Sequence, residues 1–180
     1  MVKKIAIVLL CTVLGSSLYA KDIFESEKFL GLEIGAATIQ ADTGTGGFFP
    51  ELDHEGTDVE FGIRIGAQTN EWRTMIIFDY FDSEDDDQNY EKGFLSLDYF
   101  FLGSETDAAS FGPYIGLNVG YMNYESTDID ENGFLYGGQA GFTYRVMDSM
   151  DLDLMYRYSL TDAEMTDHIG SVVFGINYVY

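Results

Sequence analysis

Two histidines are the side chains best suited to acid–base chemistry in this chain of 180 residues. His54 lies in one polar segment, Asp82 and Ser83 lie in another, and His168 stands shortly before Ser171. A base that activates a serine is what acyl transfer requires. No nucleophile motif surrounds either serine, and histidines in polar segments are ordinarily exposed loop residues. We therefore predict no catalytic residues and expect that the protein is not an enzyme.

One acidic run matches the opening of an EF-hand calcium loop. Residues 128–133 read Asp-Ile-Asp-Glu-Asn-Gly, with oxygen-bearing side chains at alternate positions and a glycine for the turn. The twelfth position is Gln139, where an EF-hand has a bidentate glutamate, and no helical pattern flanks the run. We therefore predict no metal site, and nothing else in the sequence calls for a cofactor.

Acidic residues outnumber lysine and arginine by 31 to 9, which gives a formal net charge of −22. Nucleic acid is an unlikely partner, because phosphate binding needs a positive surface. Many of the acids gather in four polar segments, at about 41–57, 82–90, 125–133 and 161–168, with no lysine or arginine among them. We expect solvated loops that resist association, with divalent cations or a basic ligand as the partners they would bind.

Eight segments alternate between apolar and other residues with a period of two, which indicates β-strands. Their cores lie at about 29–39, 59–68, 72–81, 93–102, 111–122, 134–146, 151–160 and 170–180. These lengths suit a tilted strand that crosses a bilayer. In each segment the apolar set of alternate residues carries no charge. An eight-stranded barrel with this set facing lipid is therefore expected.

The opposite set of alternate residues holds every arginine of the sequence, together with acids and glycines. Its charged members are Glu33, Glu60, Arg64, Arg73, Asp79, Asp98, Arg145, Asp153 and Arg157. The lumen of an eight-stranded barrel is just wide enough for side chains to fill it. Buried arginine is tolerated when it is paired, and its planar fork suits carboxylates. We predict a network of ion pairs that closes the lumen, with pairings left open, and a gated conductance as the alternative.

The same alternation also fits a soluble barrel with its apolar set inside, so other features must decide. The first twenty residues have the pattern of an export signal, because Lys3 and Lys4 precede an apolar run at 5–14 and Ala20 is a small residue for cleavage. That run is shorter than the roughly 20 residues of a membrane helix. We predict a cleaved signal peptide at 1–20 and a single barrel domain at 21–180.

Aromatic residues and connection lengths also favour a bilayer. Aromatics collect at both ends of the strands, as in Trp72 at one end and Tyr80 at the other, and such girdles suit two membrane interfaces. Tight turns at 70–71 and 147–150, with a moderately short connection at 103–110, alternate with the four longer acidic segments. An even number of strands then places both termini on the side of the short turns, which we expect to be the periplasm.

Three motifs in the second half resemble strands of the OmpA-like outer-membrane β-barrel family. They are residues 112–121, the hairpin of 137–144 with 152–158, and the closing Gly-Ile-Asn-Tyr-Val-Tyr at 175–180. The resemblance implies an all-β fold, an eight-stranded antiparallel up-and-down transmembrane barrel. It also implies that Gly175, Tyr178 and Tyr180 belong to the signal read by the barrel-assembly machinery. The chain is expected to hold the barrel domain alone, without the peptidoglycan-binding domain of many relatives.

These patterns together predict a bacterial outer-membrane protein with a structural or surface-interaction role. The expected partners are outer-membrane lipid and lipopolysaccharide, the barrel-assembly machinery, and a divalent cation or basic ligand at the loops. A narrow porin-like channel for small solutes is the first alternative. A lipid A-modifying enzyme is the second.

Overall fold

A computed structural model describes six stretches of the chain. They are residues 26–40, 57–83, 88–102, 111–126, 129–162 and 168–180. The predicted signal peptide, His54 and most of the acidic segment 41–57 lie outside these described residues. So do residues 84–87 and 103–110.

Eight antiparallel strands form one closed barrel, each paired with its neighbours in sequence order. The strands are β1 (Glu27–Gln40), β2 (Thr57–Gln68), β3 (Trp72–Ser83), β4 (Gln88–Phe100), β5 (Phe111–Ser126), β6 (Ile129–Met147), β7 (Met150–Thr161) and β8 (His168–Val179). The predicted fold class is confirmed. No helix within the described ranges is long and apolar enough to cross a membrane.

Strand β8 closes the barrel by pairing with β1 along its whole length, from Phe29 opposite Val179 to Gln40 opposite His168. Backbone hydrogen bonds continue past the strand end, because the Lys28 amide donates to the Tyr180 carbonyl at 3.2 Å and the Tyr180 amide to the Lys28 carbonyl at 2.8 Å. Closure leaves no unpaired sheet edge between these two strands.

The barrel has two unlike ends. The turn end carries the start of β1, the end of β8 and the connections β2–β3, β4–β5 and β6–β7. The loop end carries the other four connections. Between β6 and β7 only residues 148 and 149 intervene, and between β2 and β3 only 69–71, where the sequence predicted tight turns at 147–150 and 70–71.

Two connections at the loop end are shorter than predicted. Strands β3 and β4 are separated by residues 84–87, where the sequence indicated 82–90, and β5 and β6 by residues 127–128, where it indicated 125–133. Polar residues continue the ladder there, as in the pairing of Glu125 with Asp130. The alternation of apolar residues stops where the apolar band of the barrel ends. Backbone hydrogen bonds between strands do not require apolar side chains, so the strands continue beyond the residues that show the alternation.

The two faces of the sheet are the reverse of those of a soluble barrel. The outer face exposes large apolar side chains, as in Leu117, which is 70% exposed. The inner face buries the charges, as in Arg64, which is 0% exposed. Buried apolar groups, among them Phe29, Ile77 and Leu135, fill part of the interior beside these charges.

Candidate functional site: the charged lumen

The structure places all nine of the predicted inward charges inside the barrel, each at most 5% exposed. Glu33, Glu60, Asp79, Asp98 and Asp153 are the acids, and Arg64, Arg73, Arg145 and Arg157 are the bases. Charges with so little solvent are stable only when they are paired and hydrogen-bonded.

Arg73 has the densest set of contacts in the lumen. Its Nε and Nη2 lie 2.9 and 2.8 Å from Oδ2 of Asp98, its neighbour on β4. Its Nη1 donates across the lumen to Asp153 Oδ2 of β7 at 2.5 Å. The Tyr114 hydroxyl donates to the other oxygen of Asp153 at 2.7 Å, and the guanidinium carbon lies 4.3 Å from the centre of the Tyr114 ring. Arg73 thus joins two acids on distant strands and stacks on an aromatic face.

Arg157 forms a second centre with the acids of β1 and β3. Its Nη1 donates to Asp79 Oδ2 at 3.0 Å and its Nη2 to Glu33 Oε1 at 3.1 Å. Its Nε lies 3.4 Å from the side-chain oxygen of Gln139, whose amide nitrogen donates to Asp98 at 2.6 Å. Gln139 therefore connects the Arg157 centre to the Arg73 centre, and the two act as one network.

A lysine that the sequence analysis did not assign to the lumen extends the network. Lys92 pairs with Glu60 and lies 4.0 Å from Asp79 Oδ2. The predicted fourth strand began at residue 93, just after this lysine. Lys92 continues the inward phase of Phe94, Ser96 and Asp98, so one more step of the same alternation would have found it.

Arg145 makes a separate cluster at the turn end. Its Nε donates to Asp151 Oδ1 at 2.8 Å, and its two terminal nitrogens donate to the two oxygens of Glu27 at 3.1 and 2.6 Å. The Gln68 amide also donates to Glu27 and to Asp151. The sequence analysis did not name Glu27 or Asp151. Asp151 shares the inward phase of Asp153, while Glu27 precedes the apolar alternation of β1 and gave no signal.

Arg64 differs from the other arginines, because none of its three nitrogens has a hydrogen-bond partner among the described residues. Its Nη1 lies 3.5 Å from Glu33 and 3.5 Å from Asp153. These contacts are ion pairs longer than a charge-assisted hydrogen bond. Arg64 therefore lies between the two centres and is the least firmly held cation of the network.

Glycines give the charged side chains their space. A Cβ on Gly175 of β8 would lie 1.6 Å from Nη2 of Arg64, and one on Gly116 would lie 2.0 Å from Asp98 Oδ1. Gly35, Gly62 and Gly31 are related in the same way to Glu60, Asp79 and Asn177. Gly175, which the resemblance assigned to the assembly signal, therefore also lies under Arg64. Tyr178 and Tyr180 face outward and are exposed.

The structure does not bring the candidate acyl-transfer residues of β8 together. Ser171 is buried in the lumen, whereas His168 contacts the ring of Tyr158, which lies on the outer face, at 5.2 Å between centroids. His54 lies outside the described residues, and the side chains of Asp82 and Ser83 are not described.

Residues 129–139, which include most of the run that resembles an EF-hand loop, form part of a strand. Residues from Ile129 onward belong to β6 and pair in register with β5. An extended strand cannot wrap an ion as a twelve-residue loop does. No group of metal-ligating side chains was found within the described residues.

The fold is that of known outer-membrane barrels. Neisserial surface protein A aligns with a TM-score of 0.60 at 18% identity, over 84% of this chain and 96% of that one. Outer membrane protein H from P. aeruginosa aligns with a TM-score of 0.59 at 20% identity, over 86% and 99%. Ail of Yersinia pestis, in complex with the heparin analogue sucrose octasulfate, gives 0.52 at 14% identity, over 86% and 99%.

This chain has the fold of the small eight-stranded outer-membrane β-barrels. No protein-family model and no curated protein sequence matches it. The resemblance to the OmpA-like family therefore stays a prediction.

Removing Arg73 should cost far more stability than removing Arg64. Arg73→Met leaves Asp98 and Asp153 buried without their main partner, and breaking a buried pair in this way costs about 3 to 5 kcal/mol. Arg64→Met removes only long contacts and should cost less than half as much. Urea unfolding of the barrel in lipid vesicles measures both. An Arg64 variant as unstable as the Arg73 variant would contradict this ranking of the contacts.

Gly175→Ala should destabilise the folded barrel through Arg64. The added methyl group overlaps the guanidinium, and such overpacking costs about 1 to 3 kcal/mol. In an Arg64→Ala background the three atoms nearest the added methyl group are gone, so its cost should largely disappear. A double-mutant cycle of unfolding free energies measures the coupling. Equal costs in both backgrounds would assign Gly175 a role that does not involve Arg64.

Proposed function

We propose that this chain is an integral protein of the bacterial outer membrane with a structural or surface-interaction role. The observation that carries the proposal is the reversed barrel, apolar outside and charged inside. Residues such as Leu32, Phe61 and Leu117 are more than 60% exposed on the outer face. An apolar surface that runs around a barrel is far larger than the patches of soluble monomers, and a bilayer is the solvent that fits it.

Aromatic side chains near the two ends support the same placement. At the turn end Trp72 packs against Tyr99 at 4.9 Å between ring centroids, and Tyr99 against Phe101 at 5.9 Å. At the loop end Tyr80 and Tyr121 are exposed on the outer face. Aromatic rings with a polar atom suit the membrane–water interface, so these two girdles mark the edges of an apolar band.

The proposed orientation places the turn end in the periplasm and the loop end outside the cell. Short periplasmic turns and longer outer loops are the rule for such barrels. The predicted export signal at 1–20 and the exposed terminal aromatics Tyr178 and Tyr180 fit delivery to the barrel-assembly machinery. The acidic segments would then meet the exterior, where lipopolysaccharide, divalent cations or a basic ligand are the proposed partners.

A barrel with a filled lumen and a structural or surface-interaction role fits the described residues better than a channel does. Arg73 and Arg157 each reach carboxylates on other strands, and the side chains that meet there occupy the lumen. A narrow channel would need these pairs to separate. The outer surface and the loops are consequently the parts through which the protein would act.

The single tryptophan of the chain tests the membrane placement. Trp72 lies on the outer face in the turn-end girdle, so bromine atoms near the glycerol end of the acyl chains should quench its fluorescence more than bromines near the chain ends. A Trp72→Phe, Leu117→Trp variant moves the probe to the middle of the apolar band and should reverse the order. Fluorescence of refolded protein in vesicles of brominated lipids measures both. Absence of quenching would contradict insertion of this face.

A further inference from the structure

Strand β6 extends further than its neighbour β7 at the loop end. Its pairing with β5 continues without a break in register to Ile129, whereas its paired register with β7 ends at Leu135. Within the described residues, no strand pairs with residues 129–133 on the side of β7. These residues therefore form a free sheet edge, about 17 Å long at the usual rise of a strand.

The hydrogen bonds of Phe134 show which backbone groups the free edge presents. The Asp162 amide donates to the Phe134 carbonyl at 3.3 Å, and the Phe134 amide donates to the Asp162 carboxylate at 2.7 Å. Both backbone groups of Phe134 thus face β7. Residues two positions apart on an antiparallel strand face the same neighbour. The backbone N–H and C=O groups of Asn132 and Asp130 consequently lie on this side too, where the described part of the chain gives them no partner strand.

The free edge lies beyond the membrane band. Phe134 is opposite Tyr121 in the register, and Tyr121 belongs to the aromatic girdle of the loop end. Residues 129–133 continue past this girdle and, in the proposed orientation, lie in water outside the cell. Water hydrates unpaired backbone groups there, as hydrocarbon could not. An extended peptide can replace that water and add a strand to the edge.

The charge near the free edge indicates which kind of strand would bind. Residues 125–131 contain no lysine or arginine and four acids, which are Glu125, Asp128, Asp130 and Glu131. A second copy of the edge would bring like charges together, which destabilises a strand pair. The remaining connections at the loop end also lack lysine and arginine; they are residues 41–56, 84–87 and 162–167. A basic strand from another protein is the partner that this charge favours.

We propose that the free edge of β6 binds an extended peptide segment, rich in lysine or arginine, as an added strand outside the cell. The segment hydrogen-bonds to the backbone of Asp130 and Asn132, and the acids of residues 125–131 attract its basic side chains. The inference rests on the proposed function, because it specifies the surface interaction and requires the loop end to face outward.

Amide hydrogen exchange in the isotope-labelled full chain tests the inference. The protein is refolded into nanodiscs of phosphatidylcholine, whose zwitterionic surface does not attract basic peptides. Without a peptide, the N–H groups of Asp130 and Asn132 should exchange freely. Those of Glu131 and Gly133, which face β5, should be protected.

The probe is a short peptide of alternating lysine and threonine with both ends blocked. At about ten times its Kd, it should slow exchange at Asp130 and Asn132 roughly tenfold, because about one site in eleven then stays free. The same peptide with N-methyl groups on its central residues keeps the charge but loses its N–H donors, so it should give no protection. A peptide of alternating glutamate and threonine keeps the donors and reverses the charge, and it should give none either.

Substitutions in the free edge separate its backbone from its side chains. Asn132→Pro removes an N–H group that faces away from β5, a position at which an edge strand tolerates proline. The ring blocks an added strand, so the lysine–threonine peptide should no longer protect Asp130. Asn132→Ala is the matched control, which keeps the N–H group and should bind the peptide as the unaltered protein does. Asp130→Asn combined with Glu131→Gln should weaken peptide binding roughly fivefold.

Protection of Asp130 and Asn132 without peptide would overturn the inference, because the edge would already be covered. A second copy covers it if the protection rises with protein concentration, and this chain covers it if the protection does not. Equal binding of the N-methylated peptide, or unchanged binding by folded Asn132→Pro barrels, would contradict strand addition. None of these results affects the membrane placement. Protein that fails to enter a bilayer, with Trp72 unquenched, would overturn the proposed function as well.

Discussion

The mutual pairing of charges inside the barrel is the interaction on which the rest of the structure depends. Once the apolar set of every strand faces outward, the polar set must fill a lumen that admits little water, and each charge there needs a partner. Among the side chains that the structure describes, five basic and seven acidic ones meet in the lumen and at its turn end. Arg73 and Arg157 join acids from distant strands, so the charges that fill the lumen also tie its walls together.

Glycines lie beside these charged side chains in the sheet and leave space for them. Arginine and carboxylate side chains are too long to stand side by side on every inward position of so narrow a barrel. The chain alternates them with glycines, so that Asp98 lies over Gly116 and Arg64 over Gly175. These inward glycines are thus a packing requirement of the lumen. Gly175 is the clearest case. It belongs to the segment at the end of β8 that resembles an assembly signal, and its missing side chain also leaves room for the buried guanidinium of Arg64.

The sequence predicted the strands and their two faces because a period of two is a local property. The antiparallel order followed from the short turns, as between β6 and β7. The pairings could not be predicted, because a contact such as Arg73 with Asp153 depends on the tilt and stagger of the barrel. Lys92 was missed because the predicted fourth strand began at Gly93. The predicted β5 and β6 were too short because the residues at the ends where they pair are polar and show no apolar alternation.

Closure of the lumen is the central claim, and electrical recording in planar bilayers tests it most directly. A network that fills the interior should leave ions no continuous path, even though its acids outnumber its bases. The account predicts that folded, inserted protein gives no reproducible conductance steps over a range of voltages and salt concentrations. Discrete, repeatable steps from protein shown to be folded would contradict it, and would favour a channel whose ion pairs separate.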